Sequence, residues 1–179
     1  MCLDDTTGGN ADVAETDAIT VVKSVQATTG NVQIVAGGIV TLDSAGSPAN
    51  VVSTLSTGTV TIDANGATSD ILVNDGISTA SGAITLDADN DVIFAAEGDI
   101  ASTSGNVAVT ADKDASGGGT GGALTMDDGT LINAGTGTIA LSADEGVTRG
   151  GLLTTNTGTT AVTLTSTAGG IVDGGDATV

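Results

Sequence analysis

A short phrase recurs along this chain, and its spacing limits the folds that the chain can adopt. Each copy begins with glycine or another small residue and continues apolar, variable, apolar, as in GTVTI at 58–62. The first apolar residues of the successive copies are Val32, Val60, Ile84, Val107, Ile139 and Val162. They lie 28, 24, 23, 32 and 23 residues apart, so the repeating unit is about 23 residues long. A period of this length predicts a solenoid.

Two further apolar segments follow each phrase, which gives about three short strands per unit. The phrase alternates with period two, so both of its apolar side chains face one side of a strand. The second segment supplies the pairs Val40/Leu42, Ile71/Val73, Val92/Phe94 and Leu124/Met126, and finally Ile171. The third segment supplies anchors at Val25, Ile77, Ile100 and Ile132, each seven residues before the next phrase, and at Val52 and Leu153.

These segments predict an all-β chain folded as a parallel β-helix, a β-solenoid of six to seven coils. Parallel coils about 4.8 Å apart would place each apolar residue above its counterpart. A single coil cannot bury its own apolar face, so stability comes from stacking. The frequent glycines and β-branched residues disfavour helices. A β-sandwich, which would need hairpin turns and longer strands, is the second choice of fold.

The repeat also predicts the domain organisation. Residues 1–17 lack the phrase and are interpreted as an acidic N-terminal extension, which leaves 18–179 as a single solenoid domain. The two long spacings contain turn-rich insertions near 44–50 and 113–122. The first coil is expected to begin near its third strand, at Ile19 to Val25, and the last to stop after its second.

Arg149 does not fit the pattern, because it falls where Leu42 and Phe94 are expected to point inward. An arginine buried without a partner would be costly. Either this strand ends early and turns Arg149 outward, or the register assigned to this unit is wrong.

Charge excludes several classes of function. The chain has 22 acidic residues against Lys23, Lys113 and Arg149, which gives a formal charge of −19. Nucleic-acid binding needs cations that displace phosphate counterions, so neither nucleic acids nor anionic membrane surfaces are expected partners. No segment approaches the roughly 20 apolar residues of a membrane helix, so membrane insertion is not expected. Histidine is absent and Cys2 is the sole cysteine, which removes the usual zinc ligands.

The stretch MDDGTLINAGTGTIALSADEGVTRGGLLTTNTGTTAVTLTSTAGGI, residues 126–171, resembles the degenerate repeats of very large secreted bacterial proteins. These are the filamentous-haemagglutinin-like exoproteins and related giant adhesins, and the likeness extends in weaker form back to about residue 19. The resemblance implies a right-handed parallel β-helix, a location outside the cell or on its surface, and work as a fibre or adhesin. Surface glycans and other cells are then candidate partners.

Carboxylates are the residues best suited to ion binding. Asp87, Asp89 and Asp91 alternate as at the start of a calcium loop, but Val92 and Gly98 stand where an EF-hand needs glycine and glutamate. Stacked acidic turns containing Asp63, Asp87, Asp89 and Asp112 could instead hold Ca²⁺ weakly, since this ion prefers clustered oxygens. The competing interpretation is a solvated acidic surface that keeps a fibre soluble. No other cofactor is expected.

Two other functions remain as alternatives to a non-enzymatic fibre. Some β-helices are polysaccharide lyases or hydrolases that use paired carboxylates, but this chain lacks Trp and Tyr and has few cations, so we expect no enzyme. An ice-binding solenoid would use an outward array of threonines. Here Thr61, Thr85 and Thr163 share a predicted column that other residues interrupt, and threonine is also ordinary strand surface.

The incomplete first and last coils suggest a partner, namely another copy of the chain. Uncapped solenoid edges invite pairing, and a head-to-tail contact that does not close produces a filament. The competing interpretation is that the chain was cut from a longer repeat protein.

Overall fold

A computed structural model of the protein describes residues 3–5, 8–44, 50–115 and 121–174. Within these ranges the chain forms 21 short β-strands and no helix. In chain order the strands are β1 Leu3–Asp5, β2 Ala11–Glu15, β3 Ile19–Val21, β4 Val25–Ala27, β5 Val32–Ala36, β6 Val40–Leu42, β7 Asn50–Thr54, β8 Val60–Ala64, β9 Ile71–Val73, β10 Gly76–Thr79, β11 Ile84–Ala88, β12 Val92–Phe94, β13 Ile100–Ser102, β14 Val107–Ala111, β15 Ala123–Met126, β16 Leu131–Asn133, β17 Ile139–Ala143, β18 Gly146–Arg149, β19 Gly151–Leu153, β20 Val162–Ser166 and β21 Gly170–Asp173.

The strands form three parallel sheets that the chain visits in rotation. Sheet A has the order β1-β4-β7-β10-β13-β16-β19, sheet B β2-β5-β8-β11-β14-β17-β20, and sheet C β3-β6-β9-β12-β15-β18-β21. The backbone therefore makes about six turns of about 24 residues each. The predicted all-β solenoid is confirmed. Three corners, A–B, B–C and C–A, separate the sheets.

Inward side chains of equal register form continuous apolar columns. In sheet B the successive Cα partners are Ala11, Val32, Val60, Ile84, Val107, Ile139 and Val162, so the six predicted members of this ladder are stacked as expected. Val60, Ile84 and Val107 in the middle of the column are fully buried. Sheets A and C add further columns, and Phe94 lies wholly inside. The core is thus built from aliphatic ladders and needs few large aromatic groups.

The A–B corner is held by glycines and by buried hydroxyl groups. In every coil from the second to the next to last, one glycine lies directly over the backbone of the coil before it, so a Cβ on Gly82 would overlap the carbonyl oxygen of Gly58. Thr79 Oγ1 donates to Gly82 O at 2.6 Å and lies 2.9 Å from Ser102 Oγ, which accepts a bond from Gly105 N at 2.8 Å. These bonds satisfy polar groups that would otherwise be costly inside the stack. The recurrent glycine before each apolar pair is therefore a packing requirement.

The N-terminal segment corrects the predicted domain boundary. Strand β2, Ala11–Glu15, pairs along its length with β5, so residues 11–17 belong to the first coil and are not an extension. Ala11 and Val13 are buried. The segment GNADV at 9–13 carries the leading glycine, but alanine stands at position 11 where later units have valine or isoleucine, so the repeat is less evident there.

The structure tests two anchors that were predicted for sheet A, Val52 and Leu153. Val52 stacks between Val25 and Ile77, as predicted. Leu153 was assigned wrongly, because Leu152 is the Cα partner of Ile132 while Leu153 pairs with Asn133 and faces outward. Two adjacent leucines give the sequence no means of choosing which one points inward. Of the predicted insertions, residues 45–49 and 116–120 lie outside the described residues.

The glycine ladder yields a stability prediction. Gly82→Ala should lower the free energy of unfolding by about 1–3 kcal/mol, because the new methyl group forces adjacent coils apart. Gly170→Ala is the matched control, since a Cβ there meets nothing within 4 Å. Urea unfolding followed by far-ultraviolet circular dichroism measures both variants. Equal stability for the two would contradict the packing role of Gly82.

Candidate functional surfaces: the acidic corner and the C-terminal end

The aspartates predicted to bind calcium gather at and beside the B–C corner. Asp63 in β8 and Asp87 in β11 are Cα partners and both face outward. Asp89 lies in the turn after β11, Asp91 directly precedes β12, and Asp112 follows β14 in a left-handed backbone conformation with φ of 59°. The parallel stacking thus brings Asp63, Asp87 and Asp89 together from two successive coils.

Lys113 supplies the positive charge at this cluster. Its Nζ donates to the Asp63 carboxylate and, at 2.9 Å, to Asn65 Oδ1. The same Nζ lies 3.4 Å from Asp89 Oδ1, which is buried. One ammonium group from the turn after β14 therefore connects the turns that follow β8 and β11. Sequence reasoning missed this contact, because Lys113 is 50 residues from Asp63 in the chain.

Other carboxylates of the corner accept hydrogen bonds from backbone amides of neighbouring turns. Asp89 Oδ2 accepts from Gly66 N at 2.6 Å. Asp91 Oδ1 accepts from Gly122 N at 2.7 Å and from Ala123 N at 2.9 Å. Each aspartate thus fixes a turn of an adjacent coil. Over residues 8–44, 50–115 and 121–174 no group of three or more acidic or thiol side chains is arranged to hold a metal ion, and weak calcium binding stays an untested prediction.

Burial and the neighbouring charges shift two pKa values at this corner. Partial burial raises the pKa of Asp87, the Asp63 carboxylate raises it further, and the Thr110 hydroxyl and Lys113 act in the opposite direction. Burial alone would lower the pKa of Lys113, but its contacts with Asp63 and Asp89 outweigh burial and raise that pKa. The ammonium is therefore stabilised here, and the Asp87 carboxylate is the destabilised member of the group.

Removing the lysine tests whether it holds the corner together. Lys113→Met should lower the free energy of unfolding at neutral pH by about 1–3 kcal/mol, because buried Asp89 loses its partner. The wild-type contribution is fully present below the unfolded-state pKa near 10.5 and is lost as the pH rises through the higher folded-state value. Urea unfolding of the variant, the wild type and exposed Lys23→Met across this pH range is the measurement. If Lys23→Met lowers the free energy of unfolding as much as Lys113→Met does, the loss comes from the change in net charge and not from the contacts of Lys113.

Asp87→Asn should have the opposite sign. The raised pKa means that ionised Asp87 destabilises the native state at neutral pH, so the substitution should raise the melting temperature there. As the pH falls through the folded-state pKa towards 3.8, wild-type Asp87 becomes protonated and the advantage of the variant should disappear. Thermal melts of both proteins between neutral pH and about pH 3 check this. An advantage that does not change with pH would contradict the electrostatic origin.

The two ends of the described stack differ in how well their apolar columns are covered. At the N-terminal end Ala11, Val13 and Ile19 are at most 6% exposed. At the C-terminal end Val162 of β20 is 41% exposed and Ile171 of β21 is 46% exposed. Their partners one coil below are almost completely buried, so the same column is buried inside the stack and open at its end.

Arg149 lies close to this open end. Strand β18 continues through Arg149, so the prediction that the strand ends early is wrong. Arg149 occupies the register position after Thr148, which Leu42, Val73, Phe94 and Met126 fill in earlier coils. Its guanidinium remains partly exposed and donates to Asp173 Oδ2 at 2.8 Å. The charge is tolerated because this coil is next to last, where solvent and Asp173 both reach it.

The threonine column considered for ice binding is interrupted in the structure as well. The outward partners in sheet B are Gln33, Thr61, Thr85, Ala108, Ala140 and Thr163. Three threonines thus share one column, but alanines separate Thr85 from Thr163.

Comparisons with known proteins add no relative. No protein-family model matches the chain, and no curated protein or solved structure matches it either. Within the described residues no helix is long and apolar enough to cross a membrane.

Proposed function

We propose that this protein is a non-enzymatic structural and adhesive element of an extracellular filament, in which copies stack head to tail. The observation that carries the proposal is the exposure of Val162 and Ile171 at the end of columns that are otherwise buried. Exposed apolar residues grouped at one place favour association.

The direction of the strands supports stacking in one orientation. All paired strands are parallel, and the three sheets end together, at β1, β2 and β3 on one side and at β19, β20 and β21 on the other. A second copy related by translation along the axis would bring its β1–β3 next to β19–β21 of the first and continue every sheet with the same polarity. The covered columns at its N-terminal end, at Ala11, Val13 and Ile19, would have to open to meet Val162 and Ile171. A contact between two different ends does not close on itself, so repetition gives a linear filament.

The proposed location and adhesive role have a different support. They follow from the likeness of residues 126–171 to repeats of secreted bacterial exoproteins. The formal charge of −19 suits a long exposed fibre, because mutual repulsion of the acidic corners opposes indiscriminate aggregation. The solenoid would provide reach and rigidity, and its outer surface would provide contacts to glycans or other cells.

Substitutions at the open end test head-to-tail assembly. The double variant Val162→Lys/Ile171→Lys should abolish filaments, because it places charge where apolar surface must be buried. Val172→Lys is the control, since Val172 lies in the same strand as Ile171, is 54% exposed and pairs with outward-facing Thr148. Negative-stain electron microscopy over a range of protein concentrations measures whether each variant forms filaments.

We expect wild type and Val172→Lys to form unbranched fibres, and the double variant to remain as short particles. A wild type that remains short and monomeric at every concentration would overturn the proposal. So would fibres of unchanged length from the double variant.

A further inference from the structure

The charged residues of this chain are unevenly placed along every coil. Although the sequence carries 25 charged side chains, long stretches contain none. These stretches are 24–42, 44–62, 76–86, 100–111, 115–126, 129–143 and 150–172. All but 115–126 run from sheet A through the A–B corner into sheet B, and 24–42 and 150–172 continue into sheet C. Most acids follow later in the coil, around the B–C and C–A corners.

Stacking turns this sequence pattern into one continuous surface, which we call the uncharged side. It consists of the outward column of sheet A, the A–B corner and the first outward column of sheet B. From the second coil onward its sheet A column is Gln26, Ser53, Ser78, Ala101, Asn133 and Leu153, of which Ser53 is buried, and its sheet B column is Gln33, Thr61, Thr85, Ala108, Ala140 and Thr163. In the first coil Asp4 and Asp12 occupy the same two columns, so the uncharged side begins one coil later. Beyond the first coil, the acids of sheet B lie in the next outward column, at Asp63 and Asp87.

The uncharged side is also well ordered by internal bonds. Along the A–B corner, Asn31 Oδ1 accepts a bond from Thr59 N and Asn106 Oδ1 accepts one from Thr138 N, each at 2.9 Å. Exposed apolar groups lie on this side as well, at Leu55 and Leu153. A fixed surface without charge can be buried at little cost in entropy and electrostatic desolvation.

We infer that the uncharged side is an interface on which a second copy of the chain packs side by side. Depletion of charge is the compositional mark of the centre of a protein–protein interface. Two molecules that each carry a charge of −19 can approach closely only if their acidic corners point away from each other. Facing the uncharged sides satisfies this condition.

The spacing of the coils favours an identical partner. Outward side chains on the uncharged side repeat at the coil spacing of about 4.8 Å, and another copy presents side chains with the same period. Ridges and gaps of the two surfaces can therefore match over the length of the uncharged side. A partner without this repeat would match at a few points only.

The size of the surface predicts how strong the pairing is. Six uncharged strands in each of the two sheets, spaced at about 4.8 Å, give a surface about 25 Å long, and a stable interface buries about 800 Å² on each partner. A narrow strip of this length buries no more than about that area, so we expect weak pairing. Pairing should therefore strengthen with salt, which screens repulsion between the acidic corners, and should strengthen further when several copies stand in line.

The experiment separates side-by-side pairing from end-to-end stacking. All measurements use the Val162→Lys/Ile171→Lys background, which blocks stacking through the open end. Into it we introduce Ala101→Glu on the uncharged side, or Ile93→Glu on the outer face of sheet C as the matched control, because both residues are exposed and both changes add one negative charge. Sedimentation equilibrium is measured from about 0.01 M to about 1 M salt, and circular dichroism verifies the fold.

We expect dimers of the stacking-blocked protein to increase with salt, and Ala101→Glu to weaken dimerisation about tenfold or more while Ile93→Glu leaves it unchanged. A protein that stays monomeric at the highest salt concentration would overturn the inference, whatever the outcome for filaments. Equal weakening by the two glutamates would overturn it too, because the effect would then come from net charge.

Discussion

Direct contact between the backbones of successive coils is the constraint on which the rest of this structure depends. At the A–B corner Gly82 lies against the carbonyl of Gly58, and Gly105 lies in the same way against Gly82. This closeness lets parallel strands pair at about 4.8 Å and brings inward residues such as Ile84 over Val60. Aliphatic columns then fill the interior without large aromatic groups. A side chain at the corner would separate the coils and weaken the columns together.

The same stacking decides what the outer surface can do. Outward residues of equal register also stack. A preference for charged or uncharged residues at one position of the repeat therefore extends along a whole side of the solenoid. Most acids accumulate at two corners, where Lys113 and backbone amides partly neutralise them, and beyond the first coil the remaining side has no charge. A strongly acidic chain thereby acquires a surface through which copies can approach. The open columns at the C-terminal end provide a second contact at right angles to it, so ends and side could together build a bundle of filaments.

Much of this architecture was predictable from local patterns. The glycine-led phrase predicted the sheet B ladder from Val32 to Val162, and those residues are stacked in the structure. The surroundings of the aspartates were less predictable, since the sequence showed their alternation but could not show Lys113 beside them. Register was the other weak point. Leu152 and Leu153 are equally apolar, and the first coil has Ala11 where later units have valine or isoleucine.

The sequence by itself determined the repeat, the three strands per coil and the segregation of charge along each unit, because these depend on residues close together in the chain. Tertiary structure decided which residues from different coils meet. Only stacking brings Lys113 to Asp63, places Arg149 near an open end with Asp173, and leaves Ile171 exposed while Val147 below it is buried. The physical reason is that neighbours across coils are more than 20 residues apart in the chain, and insertions of variable length change the number of residues between them.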